Sequence, residues 1–310
     1  MVVPSLQRSP SLHRPRWRAW LAGALTTAMV GLSALPALAG DPFRPNNPHA
    51  IGDATEATFR ALFYEGNYPS AQRLAQQAMA AEPQEPMNYA IAAALSYLNQ
   101  DLGALLQRAQ QTQAAAAALK ETDPLRGHLY TAVGLFMEGA HVIQTQGLTR
   151  GTPTVLRMLQ QVFRELSAAE AISPNDPELS LLKGFMDLLL AVNLPFANPD
   201  QAISRLQQGH PDYLSQRGMA IGLRDLQRYD EALGAVNRAL AAAPHNPDLL
   251  YLKAQILFLK QDHRASLPYY AAALEQANQL PASTVRQIRF EECQAQGHDT
   301  NTCQTRAGLN

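Results

Sequence analysis

Prolines recur along this chain at nearly regular intervals, and that spacing limits what it can fold into. Pro86, Pro124, Pro177, Pro211, Pro247 and Pro281 lie 38, 53, 34, 36 and 34 residues apart. Three of the turns have the form P-x-x-P: Pro83-Gln84-Glu85-Pro86, Pro174-Asn175-Asp176-Pro177 and Pro244-His245-Asn246-Pro247. In Asp123-Pro124, Thr152-Pro153, Asn198-Pro199 and Asn246-Pro247, a polar residue can cap a helix while proline takes the first helical position, which needs no backbone donor. Between the turns the chain is rich in Ala, Leu and Gln. Its apolar residues fall three and four apart, with no sustained alternation. Stacked helical hairpins are the expected architecture.

The chain has enough apolar material for a sizeable core, with 46% hydrophobic and 16% charged residues among 310. Its net charge of −1 hides an asymmetry. Residues 1–39 hold Arg8, Arg14, Arg16 and Arg18 and no acid, which leaves 21 basic against 26 acidic residues in the rest. Such a mildly acidic body offers no electrostatic footprint for nucleic acid.

The arginines precede the apolar run WLAGALTTAMVGLSAL and then Pro36-Ala37-Leu38-Ala39-Gly40. This order predicts a secretory signal peptide over 1–39, cut before Gly40. A signal anchor is the alternative, and Pro36 with the small residues after it favours cleavage. No cysteine follows the run for lipid attachment, and no twin-arginine pair precedes it. Beyond residue 40 nothing approaches the ~18–20 apolar residues of a bilayer span. The expectation is an exported protein with no stable membrane span after cleavage, in the periplasm or, in a cyanobacterium, the thylakoid lumen. Residues 40–51, rich in proline and asparagine, are expected to form a loose leader.

Small residues carry a family resemblance. Ala220, Ala232 and Ala239 precede Pro244, with Tyr229 among them; 34 residues on stand Ala254, Ser266 and Ala273, with Tyr270. A third copy runs through Gly66-Asn67-Tyr68, Ala71, Ala78 and Pro83. Small side chains at helix crossings permit the close approach that nested hairpins need. This pattern resembles the tetratricopeptide-repeat (TPR) family, and more specifically exported cyanobacterial members of it. The resemblance implies an all-α, TPR-like helical-hairpin solenoid over 52–280, with about six hairpins, three regular and three degenerate. Leu105 breaks the small-residue register in the second unit, Gly147 to Gly151 form an insertion in the third, and Asn193 to Asn198 an extended connection in the fourth. Residues 281–310 are expected to supply a capping helix and a cysteine-containing tail.

Catalytic signatures are missing from the sequence. H-E-x-x-H, G-x-x-x-x-G-K, G-x-S-x-G and a dinucleotide glycine fingerprint are all absent. His128 and His141 are too far apart to form a metal pair on one helix, and Glu138, Glu165 and Glu170 define no carboxylate dyad. Cys293 and Cys303 flank His298 in a C-x4-H-x4-C spacing, but Phe290 stands where a zinc knuckle needs another cysteine. A disulfide suits two cysteines in an exported chain; zinc, with a further ligand from elsewhere, is the alternative. No cofactor and no metal are expected.

The resemblance further implies that the first helices of successive hairpins line a concave groove. Its register places Leu214, Arg217, Ile221 and Arg224 there, then Asp248, Tyr251, Gln255 and Phe258, and in the first repeat Glu56, Arg60 and Phe63. The candidate binding set is Arg60, Arg217, Arg224, Tyr251, Gln255 and Phe258. Arg217 and Arg224 would meet acidic groups of a partner; Tyr251 and Phe258 would meet apolar ones or else pack between hairpins. The Lys/Asn set with which some family members clamp a terminal carboxylate is absent. The expected role is a non-enzymatic scaffold for a protein or peptide partner. The alternative is a cell-envelope enzyme with its active site in the irregular centre, 124–200.

Overall fold

The computed structural model describes residues 40–193 and 198–309. The expected signal peptide, and residues 194–197 of the expected connection, lie outside them. The described residues are predominantly helical and contain no strand. Helix α1 (Asp53–Phe59) runs through a π turn (Arg60–Tyr64) and packs on α2 (Tyr68–Ala81). The array continues with α3 (Pro86–Leu98) on α4 (Leu102–Leu119), then the long α5 (Pro124–Ile172). Next come α6 (Pro177–Asn193) on α7 (Pro199–Leu206), α8 (Asp212–Asp225) on α9 (Tyr229–Ala242), and α10 (Pro247–Leu259) on α11 (His263–Leu274). Finally α12 (Ala282–Ala295) and α13 (Thr300–Ala307) pair at the end. At Gly147 (φ 71°, ψ 171°) α5 breaks, so the insertion separates two helical halves.

The punctuation works as its chemistry dictates. Asp123 accepts from the Arg126 N–H, Asn198 from Asp200 and Gln201, and Asn246 from Asp248 and Leu249. Thr152-Pro153 differs, because Pro153 lies inside the helical span of α5. The turn inside a hairpin also repeats. Gly66, Gln100, Gln227 and Gln261 all have left-handed φ, between 58° and 70°. At Gly66 a side chain would also meet Asn246, whose Oδ1 lies 2.8 Å from the Cβ position, so the close approach adds to the conformational preference for glycine there. The small residues sit at the crossings: Ala71, Ala78, Ala220, Ala232, Ala239, Ala254, Ser266 and Ala273 are all at 0% exposure. Leu105, which breaks that register, is fully buried too.

The leader is not loose. Phe43 and Ile51 are buried in the main core, Phe43 edge-on to Phe59 at 5.1 Å. Buried beside them, Arg44 bonds Asp176 twice (2.7 and 2.8 Å), Glu178 (2.9 Å) and Asp41 (2.9 Å). Arg126, at 1% exposure, reaches Glu85 (2.8 and 3.0 Å) and Glu178 (3.2 Å), and the Tyr130 hydroxyl donates to Glu178 (2.6 Å). Glu85 caps α3, Asp176 accepts from the Leu179 N–H, and Glu178 lies in the first turn of α6. Burial alone would push both guanidinium groups toward losing their protons. The surrounding carboxylates reverse that and hold both pKa values above the ordinary arginine range. Pattern reading missed this because Arg44 joins partners more than 130 positions away.

The first hairpin meets the last ones. Asn246 Nδ2 donates to the carbonyls of Phe63 and Tyr64 (both 3.1 Å), Tyr68 donates to Asp248 (2.6 Å), and Tyr64 stands edge-on to Tyr213. Beyond the last of these hairpins, the tail folds into α13, stapled to α12 by the Cys293–Cys303 disulfide (Cα–Cα 5.5 Å).

Arg126→Met should destabilise the protein by about 3–5 kcal/mol in urea unfolding, because it leaves Glu85 a buried charge without its cation and Glu178 with Arg44 alone. Replacing both cysteines by serine should cost roughly 2–3 kcal/mol, the loop-closure entropy of a short cross-link.

Candidate functional site

The first helices of the central hairpins carry few charges on the face they share. Val133, Phe136 and Met137 of α5, Leu182, Phe185, Met186 and Leu188 of α6, and Gly218, Ile221, Gly222 and Asp225 of α8 line a pocket of about 320 Å³. Its shape depends on two glycines one turn apart. A Cβ at Gly218 would lie 2.6 Å from Phe185 Cζ, and one at Gly222 would lie 2.1 Å from Leu188 Cδ2. The α6 side chains therefore press against bare backbone. Phe136, Met137, Leu182, Phe185 and Ile221 are only half-buried, so they present apolar surface to the cavity. The polar edge is Asp225, which accepts a 2.8 Å hydrogen bond from Arg224 Nε.

Four of the six expected binding residues form a polar strip next to this pocket. Arg217 lies 3.9 Å from Asp248, the same carboxylate that Tyr68 of the first hairpin bonds. Arg224 donates to Gln255 (2.7 Å), and Gln255 donates to the Tyr251 hydroxyl (2.8 Å) and to Glu291 (3.2 Å). Tyr251 and Tyr270 donate to the two oxygens of Glu291, at 3.1 and 3.2 Å. Burial first, then the Glu291 charge, drives both phenol pKa values well above the usual tyrosine range. The strip thus joins α8, α10 and α12 through contacts within the protein.

The other two stand apart. Phe258 stacks on His263 with ring centres 4.7 Å apart, and Arg60 lies over Tyr64 with Glu65 at 3.4 Å. Repeat register did place Ile221, which lines the pocket. The α5 and α6 residues were missed because their repeats are degenerate and gave no register. The available signal was local: apolar residues three and four apart in VGLFM and LLKGFM, and glycines four apart at Gly218 and Gly222.

The central acids serve as separate struts between helices. Glu165 pairs with Lys120 (2.8 Å) and His128 (2.6 Å), Glu170 with Lys183 (2.5 Å) and Arg205 (2.8 Å), and Glu138 accepts from Gln113. Burial would raise the Glu165 pKa, but the hydrogen bonds from Lys120 and His128 carry it below the ordinary value. Among the described residues no group of three or more His, Cys, Asp or Glu side chains could hold a metal ion. No described helix is long and apolar enough to cross a membrane.

Glu291→Ala should destabilise the last helices by about 1–3 kcal/mol, the cost of leaving the half-buried Tyr251 and buried Tyr270 without their acceptor. Faster hydrogen exchange over α10 to α12, with α3 to α6 unchanged, is the expected readout.

Residues 217–281 match the family model described as tetratricopeptide repeat. No curated protein sequence matches the chain. Among solved structures, the chain is similar to a thermophilic TPR protein of Thermus thermophilus, with 23% identity over 62% of this chain and 92% of that one (TM-score 0.43). It is also similar to a tetratricopeptide repeat protein from Parabacteroides merdae, with 18% identity over 83% and 91% (TM-score 0.42). A third is the TPR2AB domain of yeast Sti1 in complex with pHSP90, with 16% identity over 79% and 97% (TM-score 0.34).

Proposed function

We propose that this chain, which carries tetratricopeptide repeats at residues 217–281, is an exported interaction scaffold. Its groove takes an apolar side chain of a protein or peptide partner into the pocket between α5, α6 and α8. The observation that carries the reading is the set of half-buried apolar side chains around that pocket, on the first helices of successive hairpins. Repeat arrays of this kind bind on such extended concave faces. The cavity volume is at the low end of ligand sites, roughly 300–1,000 Å³, which suits one anchoring side chain. Met137 and Met186 add adaptable, polarizable surface.

The polar strip has a supporting role. Arg217, Arg224 and Gln255 already have partners within the protein, so a ligand meets them as a shaped rim; specificity comes from the apolar anchor. Export is supported by the arginine-then-apolar order before Ala37-Leu38-Ala39. The Cys293–Cys303 bond fits an oxidising compartment such as the periplasm.

Ile221→Lys places a charge at the half-buried lining and should leave the fold intact. In fluorescence titrations against a peptide set that differs only in one apolar anchor, it should weaken capture about tenfold or more, a loss of about 1.4 kcal/mol. Equal capture by the folded variant would remove this pocket from the reading.

A further inference from the structure

Gly40 is the first residue after Ala37-Leu38-Ala39, where processing is expected to end. Its backbone nitrogen donates to Glu56 Oε2 at 3.0 Å, in the first turn of α1. Gly40 is exposed and Glu56 is half-buried. The residues just after Gly40 are pinned: Asp41 accepts from the backbone N–H groups of Phe43 and His49 and from Arg44, and Phe43 is in the core. The nitrogen is therefore held beside Glu56 by residues on its C-terminal side.

We propose that hydrolysis of the Ala39–Gly40 amide by a signal peptidase leaves the new α-ammonium of Gly40 ion-paired with Glu56, so that processing fastens the free end of the leader. This rests on the exported reading above and is independent of the pocket. Water adds across the amide. Ala39 keeps the acyl carbon as a carboxylate, and Gly40 keeps the nitrogen as an amine, which takes up a proton below its ordinary pKa of ~7.7–8.0. A neutral amide donor becomes a charged one on the same acceptor, and charge-assisted bonds are the stronger kind.

The surroundings single out Glu56. Asp41 is held by Arg44, and Glu82, which caps the C-terminal end of α2, is committed to the N–H groups of Ala54 and Thr55 (2.9 and 3.0 Å). Asp53 is the other acid of the first turn of α1. The dipole of that helix disfavours a cation at its N-terminus, so the pairing depends on the Glu56 carboxylate.

The test uses protein recovered from the exported fraction, compared with Glu56→Gln and with a form that keeps two residues before Gly40. Intact mass should show Gly40 as the first residue. An NMR titration of its amine should give a pKa above the ordinary ~7.7–8.0 in the native protein and within that range in Glu56→Gln. Because the folded pKa is the raised one, the thermal advantage over Glu56→Gln should be full below about pH 7.5 and lost as pH rises through the folded value. The extended form should show no such pH-dependent difference. A different N-terminus would overturn the processing site and the ion pair with it, and absence of the protein from the exported fraction would overturn the exported reading. A Gly40 terminus whose amine titrates alike in the native protein and in the Glu56→Gln variant would overturn the ion pair alone. None of these results bears on capture by the pocket.

Discussion

A knot of two buried arginines and four buried carboxylates sets the geometry at the start of the central hairpins. Arg126 links the cap of α3 to the first turn of α6, and Arg44 brings the leader to the same place through Asp176 and Glu178. Two guanidinium groups face Asp41, Glu85, Asp176 and Glu178, so acids outnumber bases. Backbone N–H groups make up part of the difference: Asp41, Glu85 and Asp176 each accept from at least one. Buried ions are tolerable only when all their bonding positions are met. Here helix starts supply donors, and their dipoles favour anions. The leader becomes a structural strap because its single arginine completes this set.

The knot and the pocket share helices. At their starts, α3, α5 and α6 are joined by ion pairs; further along, α5 and α6 meet α8 around a lining that is almost wholly apolar. Gly218 and Gly222 allow α6 to approach α8 closely, and the half-buried side chains around that contact remain available. The first hairpin turns in from the other side and bonds Asn246 and Asp248. That contact occupies part of the surface expected for a ligand, which is why Arg217 and Tyr68 share one carboxylate instead of facing solvent. The apolar pocket is left between α5, α6 and α8, largely in the irregular centre, where repeat register is poorest.

Much of the architecture was legible in the sequence because it is local. A cap needs one polar side chain within reach of N–H groups two or three residues on, so Asn246-Pro247 and Asp123-Pro124 declare helix starts by themselves. Small residues at a fixed spacing declare crossings for the same reason: only a side chain the size of Ala or Ser fits there. The Cys293–Cys303 pairing was equally readable, from two cysteines in a chain expected to be exported. Tertiary structure decided what is not periodic. Proline and asparagine in residues 40–51 suggested a loose segment, yet Phe43 and Arg44 gain a core and partners far away in the chain. Arg217, Arg224, Tyr251 and Gln255 fell on the helices where the register put them. Whether such side chains meet a ligand or one another depends on how far the array curves, and that curvature is the sum of many small packing angles. The sequence by itself determined a stack of capped helical hairpins, because caps and crossings are short-range steric and hydrogen-bonding requirements. Only the tertiary structure decided which face stays open, because that depends on long-range contacts such as Arg44–Asp176 and Tyr68–Asp248.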